Sequence, residues 1–330
     1  MSQSSIPRLL ELASKLATGS ISVIVDNIDA FQKFHQQTAG ANIGVYIKID
    51  TGYHRAGIET SSPKFPELVK TVVEKAGENF KGFYSHYGHS YAGNSEDDAA
   101  FGLIAELKGL EEATAAVPET FKGKLVLTVG ATPTATAAQN MLSHSPKAEE
   151  FKGLLETLKA KYAIELHAGV YPLLDLQQIA THARPPTGHA PLAKEAIGVK
   201  LLVEAVSLYE ERAKPEVLIS AGSLALGREP CKSYPGWGIV ASELGNKHNG
   251  VYDERGEKTG WIVGKVSQEH GILAWEGPKE QMKPLTIGEK LLVWPNHACV
   301  AGAGFGWYLV VDSEKGGNKI VDVWVRWKGW

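Results

Sequence analysis

The first half of the chain alternates short apolar runs with longer amphipathic stretches. ISVIVD (21–26), VYIKID (45–50), GFYSH (82–86), LVLTVG (125–130) and IELHAG (164–169) read as strands. Between them NIDAFQKFHQQTA, PKFPELVKTVVEKAG, DDAAFGLIAELKGLEEATAAV and MLSHSPKAEEFKGLLETLKAKY carry helical spacing. Strand, helix and next strand at a spacing of roughly 35 residues predict βα units on a parallel sheet. All five runs end in Asp, His or Gly, where the βα loops begin. Sites in parallel α/β folds are assembled at those carboxyl ends.

The pattern changes after THARPPTGHAP (181–191), a Pro/Gly-rich linker signal. Beyond it AIGVKLLVEAVSLY, PEVLISAGSLALG, GWIVGKVSQEHGILAW, KLLVWPNHACV and GWYLVVD to NKIVDVWVRWKGW are β-branched, aromatic and punctuated by glycine. They predict a mostly antiparallel β domain. The expected division is an α/β domain over 1–190 and a β domain over 191–330, with no internal repeat.

Composition narrows the function classes. A net charge of −3 leaves no electrostatic footprint for nucleic acid. No run approaches the roughly 20 apolar residues of a membrane span, and the first residues lack a secretory apolar core. The two cysteines, Cys231 and Cys299, make no disulfide framework and suit a reducing compartment. A cytoplasmic location is the expectation.

Candidate chemistry sits at the strand ends. In KIDTGYHRAG (48–57) alternation puts Tyr46, Lys48 and Asp50 on one strand face, taken as the interior, with Arg55 returning nearby. Lys48 and Arg55 suit an anion or a phenolic oxygen, and equally a buried salt bridge to Asp50. SHYGHSYAG (85–93) places His86, His89 and Tyr91 past the next strand, for stacking, for proton transfer or as ordinary loop residues. TVGATPTAT (128–136) and ELHAGVY (165–171) offer glycine, hydroxyls and free N–H groups that suit a phosphate. In WPNHACVAGAG (294–304), His297 and Cys299 would share a face if the segment is a strand. The pair then reads as a two-ligand metal clasp, as a packed cysteine beside a bonded histidine, or less readily as nucleophile and base.

These motifs, in this order, resemble a known family. KIDTGYHRAG resembles the alanine-racemase-type signature of pyridoxal-phosphate enzymes built on a TIM-type (β/α) barrel. SHYGHSY, VGATPT, ELHAGVY, SAGSLAL and PNHAC are similar to the zinc-dependent D-serine dehydratases and their relatives, the D-threonine aldolases. The resemblance spans nearly the whole chain, and PNHxC is its most specific element. It implies two cofactors, pyridoxal 5'-phosphate and Zn²⁺. His86 would flank the pyridine ring, with Arg55 near the phenolic oxygen and His167 on the ring-nitrogen side. Thr132, Gly169, Val170 and Tyr171 would surround the phosphate, and His297 and Cys299 would hold the zinc. The implied reaction converts D-serine to pyruvate and ammonia. The cofactor acts as electron sink and zinc as Lewis acid on the β-hydroxyl. The implied assembly is a homodimer.

Two departures qualify the resemblance. Val170 stands where relatives commonly have Asn. The five strands match strands four to eight of the eight-stranded barrel, so a partial barrel is expected, beginning about three βα units late. The Schiff-base lysine of the family lies at the end of the first barrel strand, so it is expected to be absent, and Lys48 lies on a different strand. The reading is therefore a D-serine dehydratase-like lyase that is impaired. Its alternatives are a non-catalytic remnant binding cofactor and zinc, or an aldolase-type enzyme.

Overall fold

The computed structural model describes residues 2–142, 146–188, 190–241 and 251–327. Two compact units divide the chain, Met1–Ala168 and Gly169–Trp330.

The first unit carries one parallel sheet of five strands: β1 Ser22–Val25, β2 Gly44–Lys48, β3 Phe80–Tyr84, β4 Val126–Val129 and β5 Ala163–Leu166. They lie side by side in chain order, and every neighbouring pair is parallel. Each expected strand is present; β1 and β4 are one residue shorter at each end, whereas β2, β3 and β5 begin one or two residues earlier than expected and end two or three residues earlier. Helix α1 Ile6–Lys15 precedes β1, and the helices between the strands include α2 Ile28–Gln37, α3 Phe65–Ala76 and α4 Glu96–Thr114. Helix Pro146–Lys159 follows β4, and residues 143–145 of the expected helical stretch lie outside the described residues.

Local chemistry fixes the helix starts. Asn27 caps α2 by accepting the Ala30 N–H at 3.0 Å. Ser95 caps α4 by accepting the Asp98 N–H at 3.1 Å, with Glu96, Asp97 and Asp98 in its first turn opposing the helix dipole.

Period-two alternation sorts each strand into two faces. Val45, Ile47 and Ile49 are buried under the helices, together with Phe83, Leu127 and Val129. Helix α3 packs on β2 and β3, and α4 on β3 and β4. The opposite face carries Tyr46, Lys48 and Tyr84, each half-buried. The face expected to be interior is therefore the less enclosed one in this open sheet, and its polar side chains remain accessible.

The second unit is organised around a closed six-stranded antiparallel barrel. Its strands are β6 Leu201–Tyr209, β7 Glu216–Ile219, β8 Gly238–Val240, β9 Gly260–Val266, β10 Gly271–Glu276 and β11 Lys290–Pro295. They close in the order β10-β7-β6-β11-β8-β9. Alternate residues Leu201, Val203 and Ala205 of β6 and Leu291 and Val293 of β11 fill the interior. Trp261 and Trp275 meet edge to face there, 5.5 Å apart. Closure removes the unpaired edges that an open antiparallel sheet would expose. The run SAGSLAL, read as β from sequence, instead forms the short helix Ser223–Leu226.

Strands β12 Trp307–Val311 and β13 Ile320–Val325 pair only with each other among the described residues. Trp307, Leu309, Val323, Trp324 and Val325 are all at least half exposed on this ribbon, as is Trp327 just beyond. Residues 328–330 of the expected final strand lie outside the described residues, as does His189 of the linker motif.

Candidate active site

At the carboxyl end of the parallel sheet the polar face becomes a set of stacked rings. Register aligns Lys48 with Tyr84, Tyr84 with Thr128, and Thr128 with Glu165. Two residues further along, β3 and β5 lead to His86 and His167. The Tyr84 and His167 rings stack 4.2 Å apart at 10°, and the His86 and His167 rings lie 6.4 Å apart at 14°. Tyr53 meets the His86 ring edge-on at 6.3 Å, and the Arg55 guanidinium lies 5.2 Å from the Tyr53 ring centre.

Hydrogen bonds settle which ring nitrogens carry protons. His86 Nδ1 lies 3.0 Å from the Gly130 carbonyl oxygen, which can only accept, so Nδ1 is the donor. Thr128 Oγ1 donates its one proton to Glu165 Oε1 at 3.0 Å, so it accepts from His167 Nδ1, also at 3.0 Å. Both imidazoles are pushed down to about 4, chiefly by burial. Arg55 and Lys48 add to the shift on His86, and His86 itself adds to the shift on His167. At neutral pH they are uncharged, with unprotonated Nε2 atoms. Burial also lowers the Lys48 amine, which lies 5.0 Å from the centre of the Tyr84 ring.

The salt bridge considered for Asp50 is replaced by a turn. Asp50 Oδ1 accepts the N–H groups of Gly52 and His54 at 2.9 and 3.0 Å, and Oδ2 lies 3.2 Å from His54 Nδ1. Asp50, His54 and Glu59 bring three metal-type donors together, with His54 and Glu59 exposed. Thr132 is buried at the first position of the short helix Thr132–Ala137, two residues beyond Gly130. Of the candidate residues, Arg55, His86 and His167 gather at one end of the first unit.

Gly169, Val170 and Tyr171 open the second unit. A Cβ at Gly169 would meet nothing within 4 Å, Val170 is buried, and Tyr171 is exposed. In the same unit the His-x-Cys segment is not a strand. Strand β11 ends at Pro295; His297 is the extended N-cap, and Cys299 lies in the helix Ala298–Ala303. Asn296 interrupts the strand because its side chain is spent on the backbone. Its amide donates to the carbonyls of Glu229 and Gly236 at 3.0 and 2.9 Å. His297 Nδ1 is buried with no hydrogen-bond partner, and the nearest carboxylate, Glu229, is 3.9 Å away. Cys299 is exposed, with its thiol pushed up by partial burial and by Asp175.

Sequence reasoning missed three groups here: Tyr84, Glu165 and the buried Glu106 of α4. Strand alternation carried a signal for the first two. Glu106 sits on an apolar helix face between Leu103 and Leu107, a misplaced charge visible from helical spacing.

A parallel α/β sheet followed by an antiparallel β domain is the alanine racemase-like fold. Residues 7–146 match the family "Alanine racemase, N-terminal domain". An alanine racemase-like protein from Idiomarina loihiensis superposes with a TM-score of 0.76 at 24% identity, covering 100% of this chain and 77% of that one. D-threo-3-hydroxyaspartate dehydratase from Delftia sp. HT23 superposes at 0.75 with 23% identity, covering 100% and 78%. More narrowly, residues 198–311 match the "Putative serine dehydratase domain". The D-serine dehydratase of Schizosaccharomyces pombe is 34% identical over 342 residues, covering 100% of this chain and 72% of that protein. The Saccharomyces cerevisiae D-serine dehydratase is 33% identical, covering 98% and 73%. The chain belongs to the D-serine dehydratase family.

Proposed function

We propose that this chain carries a D-serine dehydratase-type site for a small β-hydroxy D-amino acid, with pyridoxal 5'-phosphate and Zn²⁺ as cofactors. The observation that carries the reading is the 34% identity to a D-serine dehydratase across the whole chain.

The residues present fit both groups. Two uncharged imidazoles, the Tyr84 ring and the Arg55 cation suit a flat heteroaromatic ring bearing an anionic oxygen. An imidazole nitrogen left without a partner, two residues along the chain from a free thiol, suits zinc, for which both are good ligands. We assign His86 to flank the cofactor ring, Arg55 to its phenolic oxygen and His167 to the ring-nitrogen side. Thr132, Gly169, Val170 and Tyr171 are assigned to the phosphate, and His297 and Cys299 to the zinc. When bound, the cofactor supplies an electron sink for a carbanion at the substrate α-carbon, and zinc supplies a Lewis acid for the β-hydroxyl. The chain's own part is to orient. Neutral His86 and His167 offer ring faces without adding charge. Arg55 and Lys48 draw an anionic ligand to that end of the sheet.

The five parallel strands are read as strands four to eight of an eight-stranded barrel, within a racemase-type domain over 1–190 and a β domain over 191–330. A homodimer is supported by the exposed apolar ribbon of β12 and β13, because such a patch marks an interaction surface. Two free cysteines accord with a reducing compartment, the cytoplasm. Among the described residues no helix is long and apolar enough to cross a membrane.

The test is product analysis with D-serine after incubation with both cofactors, alongside borohydride trapping of any cofactor–lysine adduct. Pyruvate and ammonia are expected for the dehydratase, and a trapped lysine would overturn the expectation that this chain lacks its Schiff-base residue. Glycine and an aldehyde from D-threonine would replace it with the aldolase reading. Cofactor and zinc binding without product or adduct would leave a non-catalytic binding protein and overturn the lyase.

A further inference from the structure

Glu106 lies within α4 with no exposed surface, a costly place for a carboxylate unless it is richly bonded. Its Oε1 accepts the Gly130 N–H at 3.1 Å, and its Oε2 accepts the Thr134 hydroxyl at 2.9 Å. The Ser85 hydroxyl and the Tyr87 N–H also donate to it. These four donors flank His86 on both sides and Thr132 on both sides. One buried carboxylate thus clips together the loops after β3 and β4.

The bonds also run in series. The Thr134 proton goes to the carboxylate at 2.9 Å in preference to the Ala131 carbonyl at 3.3 Å, because the charged acceptor is the stronger. Thr134 Oγ1 is then free to accept the Ala131 N–H at 2.9 Å. The other end of that same amide, the Gly130 carbonyl, accepts from His86 Nδ1 at 3.0 Å. Every link donates toward Glu106, so each polarises the next.

We infer that Glu106 is a positioning residue which, through Thr134 and the 130–131 amide, holds His86 in one orientation and as the Nδ1–H tautomer. The relay itself rests on geometry within the first unit; its consequence for cofactor binding rests on the role proposed for His86. Thr134 is the residue that separates relay from general packing, since valine keeps its shape and loses its oxygen.

The experiment is long-range ¹H–¹⁵N spectroscopy of the full chain labelled at histidine, at pH 8, with the His86 signals assigned by their loss in His86→Gln. The wild-type protein is expected to show a protonated Nδ1 and a bare Nε2. Thr134→Val and Glu106→Gln are expected to lose that exclusive signature, while Thr134→Ser keeps it and the His167 signals stay in place. The Thr134 pair carries the test if Glu106→Gln does not fold. An unchanged His86 signature in folded Thr134→Val, or an Nε2–H tautomer in the wild type, overturns the relay. Pyridoxal phosphate titration of the same proteins reads the other claim. Binding about fivefold weaker in Thr134→Val, the equivalent of one ordinary hydrogen bond, supports His86 as a cofactor residue. A changed tautomer with unchanged binding upholds the relay and removes His86 from the cofactor site.

Discussion

Asp175 Oδ2 accepts the backbone N–H of Ala298 at 2.9 Å, so a fully buried carboxylate holds the residue between His297 and Cys299. Its other oxygen caps the helix Leu176–Ile179 by accepting the Gln178 N–H at 2.9 Å. Asp175→Ala removes a cap and leaves a buried donor unpaired. It should cost about 1–3 kcal/mol in urea unfolding. If His297 and Cys299 hold zinc, loss of this support should also weaken zinc binding by about 10–100-fold, the range for partners that orient metal ligands. Metal titration of the folded variant checks the second effect separately from the first.

The metal pair itself gives a sharper outcome. His297→Ala and Cys299→Ala should each lower zinc content below that of the wild type after dialysis, and the double variant should retain none at this segment. Elemental analysis of dialysed protein measures it. Because His297 Nδ1 is buried without a partner, His297→Ala removes an unsatisfied polar atom. The metal-free protein should therefore lose little stability from it, and zinc loss cannot be charged to unfolding.

The acid side of the stability profile depends on opposing groups. His86 and His167 fall from 6.5 to about 4 on folding, so between those values the unfolded chain binds protons that the folded one refuses. Their contribution to stability is lost as pH falls through that window. Glu106 rises from 4.5 to about 7, so the folded chain takes its proton first and stability gains as pH falls from 7. Between 4.5 and 6.5 the two imidazoles outweigh the one carboxylate by about one proton. Replacing both His86 and His167 by Asn should reverse the sign of this local contribution. Urea midpoints measured from pH 7 to pH 4.5 in the wild type and the double variant check it.

How far the site was legible follows from which forces are local. Strand and helix positions showed in the apolar spacing, because burial at period two or 3.6 leaves its mark on every turn. His86, Arg55 and His167 could be found because strand ends are short and carry unusual residues. The closed barrel of the second unit was not legible, since closure depends on which strands meet rather than on any one strand. The geometry at His297 was misjudged for a similar reason. The strand breaks where Asn296 bonds to carbonyls 60 and 67 residues away, which no window of sequence contains. Glu106 was visible as a charge on an apolar helix face, but its four donors come from two other loops.

The β12–β13 ribbon predicts self-association. A two-stranded ribbon is marginal alone in water, and here both of its faces carry exposed apolar side chains. With a second copy as the occupant, Trp324→Ser together with Val325→Ser should shift the protein toward monomer in sedimentation velocity at micromolar concentration. Neither residue is buried, so the thermal stability of the rest of the second unit should stay within about 0.5 kcal/mol. A wild-type chain already monomeric at those concentrations would dispose of the dimer.

Gly130 is where backbone, carboxylate and imidazole meet. Its N–H bonds to Glu106, its carbonyl accepts from His86, and its φ of +143° belongs to a region that side chains rarely enter. A Cβ there would lie 2.1 Å from the His167 carbonyl oxygen, well inside contact distance. The backbone of β5 cannot retreat without breaking the bond from His167 N–H to the Val129 carbonyl at 3.0 Å. Gly130→Ala should therefore destabilise the first unit by more than about 2 kcal/mol, combining strain with a lost ladder bond. It should also speed hydrogen exchange at the His167 amide ahead of the amides of β2 and β3. Gly153→Ala is the matched control, because it lies in a helix with nothing within 4 Å of the new methyl. That substitution should stabilise by about 1 kcal/mol through helix propensity. Equal effects of the two alanines would mean that the contact between Gly130 and His167 does not hold the end of the sheet together.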